Sequence, residues 1–357
     1  MEMGHEINEH LDYTETICSG IRTILLNAMD LTRTALSACT AFGALAILYL
    51  VIKVLHVLYI FRRPSTLPKY LDRTKGSYAL VTGSTEGIGT AFTRELCKYG
   101  FNIVLHGRNP KKLSHLENNL KQEFPHTKFR QFIFDASQPT ESLKEVVDGV
   151  CKDVPLTVLV NNVGGTTGQA RSPFMAFQDH TNEEVDRLIN VNMRFMTQLS
   201  RVLLPLLERN SPALIINISS ITSIGMPYLT VYAATKAYIQ SLTNGLNMEL
   251  KAEGKNIDVM SMIIASTQTA GNPRKLSFFI PTPDKIARSS LARVGCGRVS
   301  VTPYWRHWLQ KLTLDILPEK MMEWLVVYNM APLKAESDQK LEQSKKRTTQ
   351  EPLEEGG

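Results

Sequence analysis

The sequence predicts one α/β domain on a doubly wound parallel sheet, carried behind a transmembrane helix. Three observations predict it. Short apolar runs of strand length recur through the middle of the 357-residue chain, with helix-length amphipathic stretches between them. The first such run opens straight into a glycine-rich turn that leads into a helix. Ahead of them all lies an uncharged stretch long enough to cross a bilayer.

In chain order, residues 1–33 read as an N-terminal tail and 34–61 as a membrane anchor. Thr34 to Ile52 carries no charge, and after Lys53 the apolar run resumes through Phe61, which meets the ~20 mainly apolar residues that a span needs. Lys53 and His56 leave open a helix lying in the interface or on the domain. A cleaved signal peptide fits poorly, because the apolar region starts late and is long. Lys53, Arg62, Arg63, Lys69, Arg73 and Lys75 follow its centre and only Arg22 and Arg33 precede it. The positive-inside bias therefore places the C-terminal domain in the cytosol. Residues 62–75 form the connector.

The domain itself is expected over residues 76–300. Its strands are expected at Tyr78 to Val81, Asn102 to Leu105, Phe129 to Phe134, Leu156 to Val160, Ala213 to Ile218 and Ile257 to Ile263. Such continuous apolar runs suit a parallel sheet covered on both faces. Residues 301–333 carry apolar patches (Trp305, Trp308, Leu309; then Met322, Trp324, Val327) broken by Pro318, which read as two amphipathic helices that either cover a substrate pocket or lie on a membrane. Residues 334–357, rich in Glu, Gln, Lys, Ser and Thr, read as a disordered tail.

Composition removes several functions. Five cysteines, odd in number and without ligand spacing, indicate neither a disulfide framework nor a zinc site. The net charge is +6, but Lys and Arg are scattered, with no aromatic-interleaved basic stripe, so nucleic acid is not an expected partner. Asn217-Ile-Ser219 has the form of a glycosylation sequon, yet it falls in an expected buried strand and reads as coincidence.

Two motifs carry chemistry. After the strand that ends at Thr82 comes Gly83-Ser84-Thr-Glu86-Gly87-Ile88-Gly89, and then the apolar-periodic residues Ala91, Phe92, Leu96 and Tyr99 begin a helix. Glycines permit the tight turn and close backbone approach to a pyrophosphate, and the helix N-terminus offers free N–H groups. Further on, Tyr232 and Lys236 stand at i and i+4, shortly after a strand that ends in Ser219 and Ser220. On a helix they share a face, so a phenol and an ammonium point together toward that strand end. The cation favours the phenolate and should lower a pKa that is ~10 unperturbed.

With these motifs in hand, residues 75–300 resemble the short-chain dehydrogenase/reductase family. Its cofactor turn has the form Thr-Gly-x-x-x-Gly-x-Gly, and its active site is Asn, Ser, Tyr and Lys. Within it, Asn161-Asn162-Val163-Gly164, Ile189-Asn-Val-Asn192 and Ile216-Asn-Ile-Ser-Ser220 are most similar to the membrane-anchored branch of microsomal 3-oxoacyl-CoA reductases and 17β-hydroxysteroid dehydrogenases. The resemblance implies a Rossmann-type sheet and reversible hydride transfer between a nicotinamide and a carbonyl, without a metal. Tyr232 would be the proton donor, Lys236 the ribose and tyrosinate contact, and Asn192 the anchor of a water relay to Lys236. Gly83, Ser84, Glu86, Gly87, Ile88, Gly89, Asn162, Val163 and Gly164 would hold the dinucleotide, with Asp135 at the adenine and Thr269 at the nicotinamide carboxamide. The family's spacing of thirteen residues before Tyr232 reaches Ser219, but the local Asn-Ile-Ser-Ser pattern matches Ser220, which is taken as the catalytic serine. The family's Pro after the next strand is replaced by Ile264.

Cofactor preference follows from charge. The strand from Asn102 ends in Gly107-Arg108-Asn109, with no carboxylate to hold a ribose 2′-hydroxyl, while Arg108, Lys111 and Lys112 offer positive charge to a 2′-phosphate. NADP(H) is expected. The substrate is expected to be a hydrophobic small molecule, a 3-oxoacyl-CoA of fatty-acid elongation ahead of a 17-oxosteroid, reduced at the endoplasmic reticulum membrane. A different hydrophobic ketone (a retinoid or secondary metabolite) and a non-catalytic dinucleotide-binding scaffold are the alternatives, and a homo-oligomer is compatible with each. The loop from Gly165 to Gln169 says little about the substrate.

Overall fold

The computed structural model describes residues 2–166 and 172–350. Thr167, Gly168 and Gln169 of the loop above lie outside the described residues, as do residues 351–357 of the expected tail. The chain divides into two units, residues 1–62 and 63–357.

The first unit is one helix, α1 (Glu2–Arg62). Its segment Ser19–Arg62 is apolar enough to cross a membrane, with a mean hydropathy of 2.3. The helix begins well before residue 34, so residues 2–33 of the expected tail are helical. That region contains no proline, and nothing in it outweighs the cooperativity of helix propagation. The helix stops before Arg63-Pro64, where the proline disfavours helical backbone at the preceding residue.

In the second unit, seven strands among the described residues form one sheet. They are β1 (Tyr78–Val81), β2 (Asn102–Gly107), β3 (Phe129–Ile133), β4 (Leu156–Asn161), β5 (Ala213–Ser220), β6 (Ile257–Ile264) and β7 (Ser300–Val301). Their order is β3-β2-β1-β4-β5-β6-β7 and each neighbouring pair is parallel. This is the doubly wound α/β sheet that the sequence predicts. The order reverses between β1 and β4, which opens a crevice at their C-terminal ends. The connecting helices are α2 (Gly87–Tyr99), α3 (Pro110–Glu123), α4 (Leu143–Cys151), α5 (Asn182–Ile189), α6 (Phe195–Arg209), α7 (Thr230–Ala252) and α8 (Pro283–Ala292). Their starts are written locally: Pro110 occupies the first turn of α3 while the Asn109 side chain accepts the Lys112 N–H, and Thr181 and Glu184 close a capping box on α5.

The inner strands β1, β4 and β5 are buried along their whole length, and Leu80, Val104, Phe132, Leu159, Phe195, Leu199 and Ile215 belong to one apolar core. A buried polar chain crosses it beneath the crevice. Asn161 Nδ2 donates to Ser200 Oγ (2.9 Å) and to Asn217 Oδ1 (2.8 Å), and Asn217 Nδ2 donates to Thr243 Oγ1 (2.9 Å). Asn217 is only 1% exposed, so the sequon is unreachable as it stands.

Two boundaries differ from expectation. Residues 63–75 of the expected connector form a docked collar: Ser65 Oγ donates to Leu291 O (2.5 Å), the Thr66 N–H donates to Val294 O (3.0 Å), and Tyr70 and Lys69 both donate to Asp258 (2.5 and 2.9 Å). Leu67 and Tyr70 are buried beneath it. At the other end, after α9 (Trp305–Ile316), helix α10 (Glu319–Gln350) runs through residues expected to be disordered. Lys334–Asp338 and Lys340–Glu336 pairs at i,i+4 support it, and the buried Ser337 hydroxyl meets Ser172 Oγ at 2.5 Å.

Candidate active site

At the C-terminal end of β1 the chain must turn within hydrogen-bonding distance of two neighbouring strands. Gly83 (φ 64°) and Gly87 (φ 58°) supply left-handed backbone. A Cβ at Gly89 would fall 2.0 Å from Gly83 O, so the turn closes only with glycine there. Asn162 clamps it from β4, its Nδ2 donating to Thr82 O (2.9 Å) while Thr82 Oγ1 accepts the Asn162 and Val163 N–H groups (2.8 and 3.0 Å). From β2, His106 Nδ1 accepts the Gly83 N–H (3.1 Å). Full burial pushes this imidazole down to about 3, so it is neutral, and it stacks on Phe195 at 4.9 Å. The sequence reading missed His106, for which only its place at a strand end before Gly107-Arg108 was a signal.

The turn leaves the first-turn N–H groups of α2 aimed into the crevice, since Glu86 at its N-cap makes no side-chain cap. Glu86 instead pairs with Lys112. Arg108 stands directly at the end of β2, with Asp135 Oδ2 4.0 Å away, and Lys111 is exposed at the start of α3. Asp135 Oδ1 accepts from the Ser137 N–H and hydroxyl (both 2.9 Å). Thr269 sits against the turn from the far side, its methyl 3.0 Å from where a Gly87 Cβ would lie.

The second cluster lies one strand along. Asn192 occupies a π-helical turn (Asn190–Arg194) between α5 and α6, the kind of helix irregularity that often marks a functional position. Its Oδ1 accepts the Gly165 N–H (2.9 Å) and its Nδ2 donates to Gly165 O and Leu188 O (both 3.0 Å). A Cβ at Gly164 would meet Asn192 Oδ1 at 2.7 Å and Lys236 Nζ at 3.0 Å, so Asn192, Gly164 and Lys236 share one contact point. Lys236, on α7, donates to Ile218 O (3.0 Å). Burial lowers it to about 8.

Alternation along β5 separates the two serines. Ser219 Oγ donates to Lys236 O (2.8 Å) and accepts from Gln240 Nε2 (3.1 Å), a structural tie to α7. Ser220 Oγ accepts the Thr222 N–H (3.2 Å), and the serine lies close enough to Tyr232 to favour its phenolate. Burial pushes Tyr232 up to about 12, only partly offset by that neighbour. The downward shift expected from Lys236 is therefore not what the geometry gives: the ammonium lies 5.5 Å from the ring centroid and is directed at a carbonyl. β6 continues through Ile264, which pairs in register with Ser220, so the missing proline leaves a longer strand under the site.

Beside Tyr232 the wall is apolar and comes from far along the chain. Leu229, Val326 and Met330 are buried together, with Phe174, Met226, Tyr228, Tyr232, Met322 and Leu333 packed against them. One face of α10 therefore abuts the phenol. Tyr228 holds a left-handed φ of 64°, uncommon for a residue with a side chain and strained by roughly 1 kcal/mol or more. Its carbonyl accepts the Met175 N–H (3.1 Å).

Comparisons with known proteins bear on the family and the fold. The family model described as short chain dehydrogenase matches residues 77–277. A very-long-chain 3-oxoacyl-CoA reductase-like protein of Arabidopsis thaliana is 35% identical over 263 residues, covering 72% of this chain and 81% of the relative. A very-long-chain 3-oxoacyl-CoA reductase of Coprinopsis cinerea is 31% identical over 293 residues, covering 80% and 84%. Among solved structures, a short-chain dehydrogenase from Sphingobium yanoikuyae in complex with NADPH superposes with a TM-score of 0.54 at 22% identity, covering 68% of this chain and 97% of that one, and shows the shared fold. The chain belongs to the short chain dehydrogenase family, whose members are oxidoreductases.

Proposed function

We propose that this chain is an NADPH-dependent reductase of lipophilic carbonyl compounds, with a long-chain 3-oxoacyl-CoA as the leading substrate and a 17-oxosteroid behind it. The observation that carries the reading is the convergence of Ser220, Tyr232, Lys236 and Asn192 at the end of the sheet, against an apolar wall. The names of the two relatives support the acyl-CoA choice.

The cradle fits a dinucleotide. The backbone at Gly83, Gly87 and Gly89 can lie close to a pyrophosphate, with the α2 N-terminus below it and Ser84, Ile88, Asn162, Val163 and Gly164 around it. Arg108 would take the 2′-phosphate, Asp135 the adenine edge, and Thr269 the carboxamide. When bound, the nicotinamide supplies a hydride to the carbonyl carbon. Tyr232, held protonated by burial, donates its proton to the carbonyl oxygen, and Ser220 donates a hydrogen bond that strengthens as charge grows on that oxygen. Lys236 stabilises the tyrosinate left behind and holds the ribose hydroxyls. Asn192, fixed by three hydrogen bonds, keeps Gly165 and the Lys236 surroundings in register.

The apolar segment Ser19–Arg62 would anchor the chain in the endoplasmic reticulum membrane with the sheet domain in the cytosol. The test is NADPH consumption by membranes carrying the chain, supplied with 3-oxoacyl-CoAs of increasing length, a 17-oxosteroid and a retinoid ketone. Faster turnover with longer acyl chains is expected, with NADH a poor substitute. No consumption with any of them would favour the dinucleotide-binding scaffold. Protease added to sealed microsomes should degrade the domain, and full protection would reverse the topology.

A further inference from the structure

Between β6 and α8 the chain leaves the sheet at Ala265, passes Thr269, reaches the surface and returns at Thr282. One side chain ties both limbs of this excursion. His307, on α9, accepts the Ala265 N–H at Nδ1 (3.1 Å), which leaves its proton on Nε2, and Nε2 donates to Phe279 O (3.1 Å). The ring is fully buried, and burial lowers it to about 4, so it stays neutral in this tautomer near neutral pH.

What this anchored loop presents to solvent is apolar and ordered. Leu276, Phe278, Phe279 and the adjoining Trp305 are 54%, 50%, 39% and 45% exposed. Phe278 meets Phe279 edge-on at 4.9 Å and Trp305 edge-on at 5.6 Å. The Arg306 guanidinium lies 4.2 Å from the Phe278 ring centre and 5.1 Å from that of Trp305, and its Nη1 donates to Phe278 O (3.1 Å). These groups form a preassembled knob with one cation at its base and the exposed Lys275 beside it.

We infer that this knob seats in the headgroup and upper acyl region of a lipid bilayer, as a second membrane contact distinct from α1. The inference rests on the anchor reading, because a tethered domain meets the bilayer at high effective concentration. A cluster of Leu, Phe and Trp with flanking basic residues matches the boundary between hydrocarbon and headgroup, where aromatic rings sit with one edge wet and Arg or Lys reaches phosphate. Being already packed and tied by His307, the knob loses little side-chain freedom on insertion.

The chain's three tryptophans make this measurable: Trp305, Trp308 and Trp324 all lie on α9 and α10, and none lies in α1. The full chain bearing Trp308→Phe and Trp324→Phe is reconstituted in phosphatidylcholine–phosphatidylserine vesicles with plain or brominated acyl chains. Trp305 emission should be about twofold weaker in the brominated lipid, as expected for a ring at interfacial depth. Phe278→Asp with Leu276→Asp should abolish that difference while the chain still resists an alkaline wash, which reports α1 separately. A washed-resistant chain whose Trp305 emission is the same in both lipids would overturn the knob and spare the anchor. A chain that washes off yet is quenched beforehand would support the knob and sink the anchor; one that washes off and is not quenched overturns both. Quenching of a Trp324-only variant (Trp305→Phe, Trp308→Phe) without quenching of Trp305 would move the contact to the outer face of α10 and overturn the assignment. A Trp305 blue shift that follows protein density and ignores bromination would assign the knob to a second copy of the chain.

Discussion

The crevice has two walls that are built on different principles. The dinucleotide wall is made of backbone: Gly83, Gly87 and Gly89 turn where side chains cannot, Thr82 and Asn162 stitch β1 to β4, and His106 buttresses the turn from β2. The apolar wall beside Tyr232, which we propose as the substrate wall, is made of side chains brought from afar, with Phe174, Met226, Tyr228, Met322, Val326 and Met330 meeting around Tyr232. A backbone wall tolerates almost no change in shape. A wall of Met, Val and Leu can be recut one methylene at a time, so one family can keep a single cofactor geometry while its substrates diverge.

The sharpest way to break this contrast is at the residue both walls share. Tyr232→Phe keeps the ring in its apolar cluster and removes only the proton donor, so turnover should fall by ~10² to 10⁴ while dinucleotide affinity survives. Activity within a few-fold of the parent would remove Tyr232 from the chemistry. One strand over, Ser220→Ala should cost ~10² to 10³ in turnover, the usual effect of losing an oxyanion donor. Ser219→Ala should leave turnover within a few-fold and lower stability by about 1 kcal/mol, because its hydroxyl serves Lys236 O and not the crevice. The reverse result would show that spacing, not local pattern, sets the serine.

Effects should be smaller and more selective away from the shared residues. Arg108→Asp should change the NADPH to NADH preference by ~10- to 100-fold, the range for a charge-assisted contact, with substrate KM unmoved. An unchanged ratio would place the 2′-phosphate elsewhere. On the opposite wall, Met330→Ala should raise KM for a long acyl chain roughly tenfold and leave dinucleotide affinity alone. If both affinities moved together, the two walls would not be separable.

The same contrast explains what the sequence let one read. Strands, the glycine turn and Tyr232 with Lys236 were legible because each is a local pattern: an apolar run, a backbone requirement, an i,i+4 pair. The apolar run of β5 stops at Ile218 while the strand runs to Ser220, since polar residues that end a strand at a site interrupt the apolar signal without interrupting the ladder. The π-turn at Asn192 left no trace in composition. The apolar patch with Met322, Trp324 and Val327 announced an amphipathic helix, but not that Met322, Val326 and Met330 would meet Tyr232, because a face declares that it must be covered and not by what. The tail beyond Lys334 was misread for a related reason. Its charges looked like those of a solvated segment, whereas Lys334 with Asp338 and Glu336 with Lys340 are spaced as helix pairs. The collar at Ser65 to Tyr70 was invisible, since its docking depends on Asp258, Leu291 and Val294, nearly two hundred or more residues away.

The last and smallest effect is a pH dependence in which activity and stability move in opposite directions. Burial lowers Lys236 to about 8, from an unfolded value of ~10.4. If, as proposed, the ammonium supports the tyrosinate and binds the ribose, reductive kcat/KM should fall through an apparent pKa near 8, losing about half its value there and approaching tenfold per unit above it. Stability runs the other way. Between about 8 and ~10 the unfolded chain binds more protons at this lysine than the folded one does, so the penalty of burying the cation, complete below pH 8, is progressively relieved and Tm should rise on this account. Above ~10 the sign reverses, because Tyr232, pushed up to about 12, holds its proton in the folded state after the unfolded phenol has lost it. Comparing the parent with Lys236→Met isolates the lysine: the variant is inactive, and the difference in Tm between the two proteins should narrow as pH climbs from 7 to 10. A difference that stays constant over that range would mean that Lys236 keeps an ordinary pKa, and that the substrate wall does not desolvate it.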